Sequence, residues 1–108
     1  MTAVSFARVH DTYCFECMGH TGYAALGRDI LCSAVSALCY TLGAYIEGLY
    51  LDGRVTDYTS DFYPGSVHIS FTFSDSADDR PCLEAINAIL QGFCILSESF
   101  PEHISADM

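Results

Sequence analysis

The sequence is short of basic residues. Its 108 residues include only four lysines and arginines against fourteen aspartates and glutamates, so the formal net charge is −10. A nucleic-acid-binding surface needs clustered basic side chains, and this composition argues against one. The excess of acids allows attraction to a basic partner, although solubility alone also accounts for it.

The sequence also lacks the usual marks of a membrane or exported protein. We find no apolar run long enough to cross a bilayer. The N-terminus MTAVSFARVHD has no basic segment followed by an apolar one, as a signal peptide does. We therefore expect a cytoplasmic protein that binds neither membrane nor nucleic acid. Because the cytosol keeps thiols reduced, the six cysteines are interpreted as free thiols, most of them buried as small apolar side chains.

No repeat, low-complexity tract or linker divides the chain, which predicts one domain over residues 1–108. Hydrophobic residues make up 51% of it, enough for a core without disulfides.

Four segments have the pattern of β-strands. Residues 4–9 and 12–18 are joined by a tight turn at His10 and Asp11. Residues 54–60 form a third strand. Residues 66–74 alternate, with apolar side chains on one face and polar ones on the other, which predicts a strand covered on one side.

Two segments have helical periodicity instead. After Asp29, a natural N-cap, an apolar stripe recurs at spacings of three and four: Leu31, Val35, Leu38, Leu42, Tyr45 and Leu49. The acids and proline of DSADDRP begin a second helix, which Pro101 ends. The order ββαββα predicts a two-layer α+β domain, with an antiparallel sheet and two helices packed on one face.

Cys14 and Cys17 form a Cys-x-x-Cys motif, which could be half of a zinc site or a redox pair. A zinc site needs a second ligand pair of matching spacing, and a redox pair places its first cysteine at a helix start. The chain has no such second pair, and this motif lies in a predicted strand, where the two thiols face opposite sides. We therefore predict no metal and no cofactor, with one cysteine buried and one facing outward.

The other histidines and the aromatic residues have less specific patterns. His68, on the polar face of its strand, could join an active site or a subunit contact, or be simply half-exposed. His10 and His103 are interpreted as turn and tail residues. The aromatic residues that could line a substrate groove, most of them expected in the core, are Tyr13, Phe15, Tyr58, Phe62 and Tyr63.

A cysteine lies at the start of the first helix. If Asp29 is the N-cap, Cys32 is in the first turn, where the helix dipole favours a thiolate and the Cys32 backbone N–H is a candidate oxyanion donor. His20 precedes it in a glycine-punctuated loop, which could fold back and bring an imidazole to the thiol. The alternative is a packing cysteine and a surface histidine.

The run GHTGYAALGRDILCSAVSAL, residues 19–38, resembles the signature of the ribosomal-processing cysteine protease family, Prp. That signature reads approximately GHAGYA, a short gap, and then G-x-DIVCAAVSAL. The His-to-Cys spacing, the chain length and the ββαββα order extend the likeness over nearly the whole chain. Thr21 and Ser33 stand where alanine is usual, and Leu31 replaces valine.

The resemblance implies an activity and the residues that perform it. Members are homodimeric bacterial cysteine proteases without a cofactor. They remove a short N-terminal extension from the twenty-seventh protein of the large ribosomal subunit, after a pair of phenylalanines. The match makes Cys32 the nucleophile and His20 the general base, and it gives Asp29 and Ser36 supporting roles.

The loop between the histidine and the helix is expected to act as a gate. Glycines lower the steric cost of unusual backbone angles, and Tyr23 and Leu26 could close over an aromatic substrate pair. The gating residues are Gly19, Gly22, Tyr23, Leu26 and Gly27.

A non-catalytic function stays open beside the protease. An acidic ribosome-assembly adaptor would bind a basic ribosomal protein through the same charge. A zinc or redox module is a third interpretation. Reaction of Cys32 with a thiol alkylator at neutral pH, compared with the other five cysteines, would separate a protease from an adaptor.

Overall fold

The structure, a computed structural model, describes residues 1–22, 24 and 29–108. The strands and helices follow one another as β1 (Thr2–Val9), β2 (Thr12–Met18), α1 (Ile30–Leu51), β3 (Val55–Tyr63), β4 (Ser66–Phe73), α2 (Asp79–Ser99) and β5 (Ile104–Asp107). A 3₁₀ turn, Ser76–Asp78, leads into α2. The predicted α+β class and the ββαββα order are confirmed.

The strands form one sheet in the order β3-β4-β2-β1-β5. The four strands expected from the sequence pair antiparallel, whereas β5 pairs parallel to β1, with Thr2 opposite Ile104. The four predicted strands therefore pair as expected, and the parallel strand β5 is an element that the sequence analysis does not predict. The segment ISAD is too short to show a two-residue period, and its pairing depends on the return of α2 across the sheet.

The core lies between the sheet and the two helices. Phe15 of β2, Phe71 of β4 and Phe93 of α2 are fully buried there. The buried face of α1 consists of Leu31, Val35, Cys39, Leu42, Gly43, Ile46 and Leu49. Four of the six predicted stripe residues are buried, but Leu38 and Tyr45 lie at the edge of the buried face and are only partly buried. Cys39 and Ile46, each one position further along the chain, are buried in their place.

Two glycines allow close contacts that shape the helix layer. A Cβ atom at Gly43 of α1 would lie 2.8 Å from Cζ of Phe62, so glycine lets this ring of β3 pack against the helix. A Cβ atom at Gly92 of α2 would lie 2.7 Å from Cδ2 of Leu38, where the two helices meet. Phe62 also stacks on Tyr40, with ring centroids 5.2 Å apart and planes 9° apart.

Helix α1 corrects one expectation from the sequence. It has 22 residues, and its most apolar window has a mean hydropathy of 1.5, so it is long and apolar enough to cross a membrane. The statement that no apolar run reaches this length is therefore wrong. Length and composition are weak evidence of insertion, because a core helix passes the same test. One face of α1 is buried in the hydrophobic core, which is the arrangement of a core helix.

The edge strand β5 should contribute to stability although it is short. Ile104 is 1% exposed, whereas Ile95 on α2 is 59% exposed. We expect Ile104→Ala to lower the free energy of unfolding by about 2–5 kcal/mol, since it leaves a cavity in the core. Ile95→Ala is the matched control and should change it by less than about 0.5 kcal/mol. Urea unfolding measures both, and equal effects would contradict the burial of β5.

Candidate active site

A cleft opens between the first turns of α1 and the turn that joins β3 to β4. Its deeper part is a cavity of about 310 Å³, with a second cavity beside it. Both cavities are lined by His20, Cys32, Ser36, Tyr40 and Pro64. The structure therefore brings His20 and Cys32, which the sequence places on separate segments, to one cleft.

Asp29 fixes the start of α1, as predicted. Its Oδ1 accepts a hydrogen bond of 2.8 Å from the Cys32 backbone N–H, and its Oδ2 accepts one from the hydroxyl of Thr21. One carboxylate thus joins the helix start to the residue after His20. The expectation that the Cys32 N–H serves as an oxyanion donor loses its support, because this group donates to the N-cap.

Thr21 has a second connection, to the C-terminal segment. Its side chain is buried, and its carbonyl oxygen lies 2.9 Å from Nδ1 of His103. A carbonyl can only accept a hydrogen bond, so Nδ1 of His103 carries the proton. His103 is half-buried and supports the loop beside His20, which corrects its interpretation as a tail residue.

The β3–β4 turn positions His20. The Gly19 N–H donates to the Gly65 carbonyl oxygen at 2.8 Å. A Cβ atom at Gly65 would lie 2.8 Å from Nε2 of His20, and Gly65 has a φ of +75°. Only glycine suits this position without strain, and its bare backbone lies directly against the imidazole ring.

Exposure separates Cys32 from the other cysteines of the cleft. Cys17 and Cys39 also line the deeper cavity, but both are buried, whereas Cys32 is half-buried. The hydrogen bond with Cys17 and burial raise the pKa of Cys39, so Cys39 stays a neutral thiol. Since a nucleophile must be reachable by the substrate, Cys32 is the better candidate by its exposure.

Aromatic side chains form one wall of the cleft, and the sequence predicts only some of them. Of the suggested groove aromatics, Phe62 and Tyr63 line the cleft, while Tyr13 and Phe15 lie in the core. Tyr40 completes the wall and was missed. Its position, two turns of helix after Cys32 and one after Ser36, could have indicated it, since residues four apart share a helix face.

Two of the five predicted gating residues lie within the part of the chain that the structure describes. Gly19 and Gly22 are described, with φ of +96° and +66°, and they bear out the use of glycine where the backbone is left-handed. Tyr23, Leu26 and Gly27 lie outside the described residues. The gate therefore stays a prediction.

The Cys-x-x-Cys motif is split between the two faces of the sheet. Cys17 is buried on the helix side, and Cys14 is half-buried on the other side, as predicted. Sγ of Cys14 lies 3.7 Å from Nδ1 of His68. Burial, followed by the charge of Glu16, raises the pKa of the Cys14 thiol, which makes it a poor nucleophile.

Known proteins resemble the chain in sequence and in fold. A family model, that of the cysteine protease Prp, matches residues 1–105. Comparison with curated protein sequences gives no match.

Several solved structures share the fold. SMU.848 from Streptococcus mutans is 26% identical, with a TM-score of 0.66, covering 99% of this chain and 92% of the other. The ribosomal processing protease Prp from S. aureus, in complex with a covalently linked product peptide, is 21% identical, with a TM-score of 0.68 and coverage of 99% and 98%. The same protease with a substrate peptide gives 20% identity, a TM-score of 0.64 and coverage of 99% and 98%. Because the family model spans nearly the whole chain, this chain belongs to the Prp family of cysteine proteases.

Proposed function

We propose that this chain is a cysteine endopeptidase with Cys32 as nucleophile and His20 as general base, and that it processes a ribosomal protein. The observation that carries the proposal is that both residues line one cleft, at a helix start that Asp29 caps, in a chain of the Prp family. The relative from S. aureus binds a substrate peptide and a covalently linked product peptide, which supports a covalent reaction on a peptide.

The reaction begins with proton transfer from the Cys32 thiol to His20. The start of α1 favours this step, because the positive end of the helix dipole stabilises a thiolate. The thiolate attacks the peptide carbonyl carbon and forms a tetrahedral oxyanion. His20 then protonates the leaving amine as the peptide bond breaks and a thioester remains. Water, deprotonated by His20, hydrolyses the thioester and restores the thiol.

The developing oxyanion needs hydrogen-bond donors other than the Cys32 N–H. Ser36 follows Cys32 by one helical turn and lines both cavities. We assign its hydroxyl to this role, since donors aimed at the developing charge are a large part of such catalysis. This assignment gives Ser36 the supporting function that the family resemblance implies.

Asp29 acts as a positioning residue. Its negative charge near Cys32 would by itself disfavour a thiolate, but both carboxylate oxygens already accept hydrogen bonds, from Thr21 and from the Cys32 N–H. These bonds hold the histidine loop at the helix start. The geometry supports an orienting role for Asp29 without proton transfer.

The substrate assignment rests on the aromatic wall and on charge. Tyr40, Phe62 and Tyr63 present rings to the cleft, and aromatic pairs favour stacked and edge-on contacts. They suit the pair of phenylalanines after which the family cleaves the twenty-seventh protein of the large ribosomal subunit. The net charge of −10 favours approach of a basic ribosomal protein.

The family resemblance also supports the assembly and location that we propose. The chain acts in the cytoplasm as a homodimer of single-domain subunits spanning residues 1–108, without a cofactor. Sedimentation of the purified protein would test the dimer.

Loss of either member of the dyad should abolish cleavage while the protein stays folded. We expect Cys32→Ala, Cys32→Ser and His20→Ala each to lower kcat for a Phe-Phe peptide by about a thousandfold or more. The double variant should be little worse, because the two residues work as a unit. Cys94→Ala, at another half-buried cysteine, is the control and should keep full activity. Parental cleavage by folded Cys32→Ala would end the protease assignment and favour the adaptor.

Removal of the Asp29 side chain should weaken both the helix start and catalysis. Asp29→Ala is expected to lower the free energy of unfolding by about 1 kcal/mol, the usual value of an N-cap, and to lower kcat. Asp29→Asn keeps an oxygen that can cap the helix, so it should recover most of the stability. Thermal unfolding and peptide cleavage measure the two effects. An Asp29→Ala variant as stable and active as the parent would rule out this role.

The aromatic wall should act in substrate binding. Tyr40→Ala is expected to raise KM for a Phe-Phe peptide about tenfold, which corresponds to about 1.4 kcal/mol of lost contact. Tyr50→Ala, which removes a partly exposed tyrosine elsewhere on α1, is the matched control and should leave KM unchanged. Equal KM values for the two variants would exclude Tyr40 from the substrate site.

A further inference from the structure

Three side chains with different donor atoms meet on the face of the sheet that points away from the helices. Cys14 and Glu16 are two positions apart on β2, so they share this face. His68 on β4 lies directly opposite Glu16 in the strand register. Their ligand atoms, one sulfur, one oxygen and one nitrogen, all lie within 4.8 Å of one another.

The distances among these atoms are close to those of a tetrahedral metal site. Sγ of Cys14 is 3.7 Å from Nδ1 of His68 and 3.9 Å from Oε1 of Glu16, and the nitrogen and oxygen are 3.4 Å apart. Zinc bonds of about 2.3 Å to sulfur and 2.0–2.1 Å to nitrogen and oxygen give tetrahedral edges of about 3.3–3.6 Å. Shifts of a few tenths of an ångström, on the order of a small side-chain rotation, would bring all three donors to one ion.

The three groups are joined only by weak contacts. Cys14 makes long sulfur hydrogen bonds to His68 and Glu16, and the Nδ1–Oε1 pair at 3.4 Å is longer than the about 2.7–3.2 Å of a strong hydrogen bond between nitrogen and oxygen. A metal ion would replace these weak contacts with stronger bonds. Because paired strands hold the backbones of the three residues, ion binding would not have to order a loop.

The donor set selects the class of ion. Thiolate, imidazole and carboxylate together suit Zn²⁺, whereas Mg²⁺ and Ca²⁺ prefer oxygen ligands only. The side chains of His68 and Glu16 are 37% and 49% exposed, so an ion can reach them and water can occupy a fourth position.

We propose that Cys14, Glu16 and His68 bind one Zn²⁺ per chain on the face of the sheet opposite the cleft, with water as the fourth ligand. The ion would tie β2 to β4 and take no part in peptide cleavage. This replaces the sequence-based prediction of no metal, which considered Cys14 only as a partner of Cys17. The two thiols of that motif do face opposite sides, but Cys14 finds its partners across the strands.

Cobalt is the probe for this site, because Co²⁺ bound by a thiolate gives a charge-transfer band, and four-coordinate Co²⁺ absorbs intensely in the visible range. The titration uses the Cys32→Ala protein, so that Cys32 and His20 of the cleft cannot bind the ion together. We expect one Co²⁺ per chain, displaced by Zn²⁺, and a rise in Tm with Zn²⁺ because the ion binds the folded state.

Three ligand variants, each paired with a control at a residue of the same type, locate the ligands. Cys14→Ser should abolish the charge-transfer band. Glu16→Gln and His68→Gln should lower the affinity for Co²⁺ more than about tenfold, since substitution of a residue that only hydrogen-bonds to a metal ligand already lowers metal affinity about 10–100-fold. The controls Cys94→Ser, Glu98→Gln and His10→Gln should bind as tightly as the starting protein. Folding of each variant is checked by circular dichroism. Absence of a thiolate–cobalt band in the folded protein, or a band that persists in Cys14→Ser, would overturn the proposal.

Discussion

The alternation of side chains along β2 is the constraint on which the rest of the structure depends. This strand lies in the middle of the sheet, and its odd-numbered residues Tyr13, Phe15 and Cys17 are buried on the helix side. Its even-numbered residues, including Cys14 and Glu16, face the other way. A shift of one residue in register would exchange the two sets and remove both the core and the floor of the cleft.

Short polar contacts fix the histidine loop against the start of α1. Asp29 connects the helix start to Thr21, and the backbone of Thr21 connects to His103. His20, the neighbour of Thr21 in the chain, is held from the other side by Gly65. Asp29, His103 and Gly65 come from three separate segments of the chain, and together they fix the loop at His20 and Thr21. His20 therefore has a defined position although its side chain is exposed.

Local patterns predicted most of the elements, and long-range contacts account for what they missed. The bounds of β2 and the Asp29 cap follow from alternation and from the chemistry of helix ends, which act over a few residues. The strand β5, the support from His103 and the contact of Cys14 with His68 depend on sheet order and register, which no single segment encodes. The family signature indicated Cys32 and His20, whereas the face opposite the cleft carries no such motif.

The hydrogen bond between Thr21 and His103 joins residues 82 positions apart in the chain. During synthesis the loop that carries His20 emerges long before its partner exists, and β5 cannot pair with β1 until the helix α2 is complete. The contact of the histidine loop with His103 therefore forms only when nearly all of the described fold has been translated. A nascent chain that still lacks this segment would have the contacts of the loop with Asp29 and Gly65 but not the one with His103, so the last support of the loop forms late in synthesis.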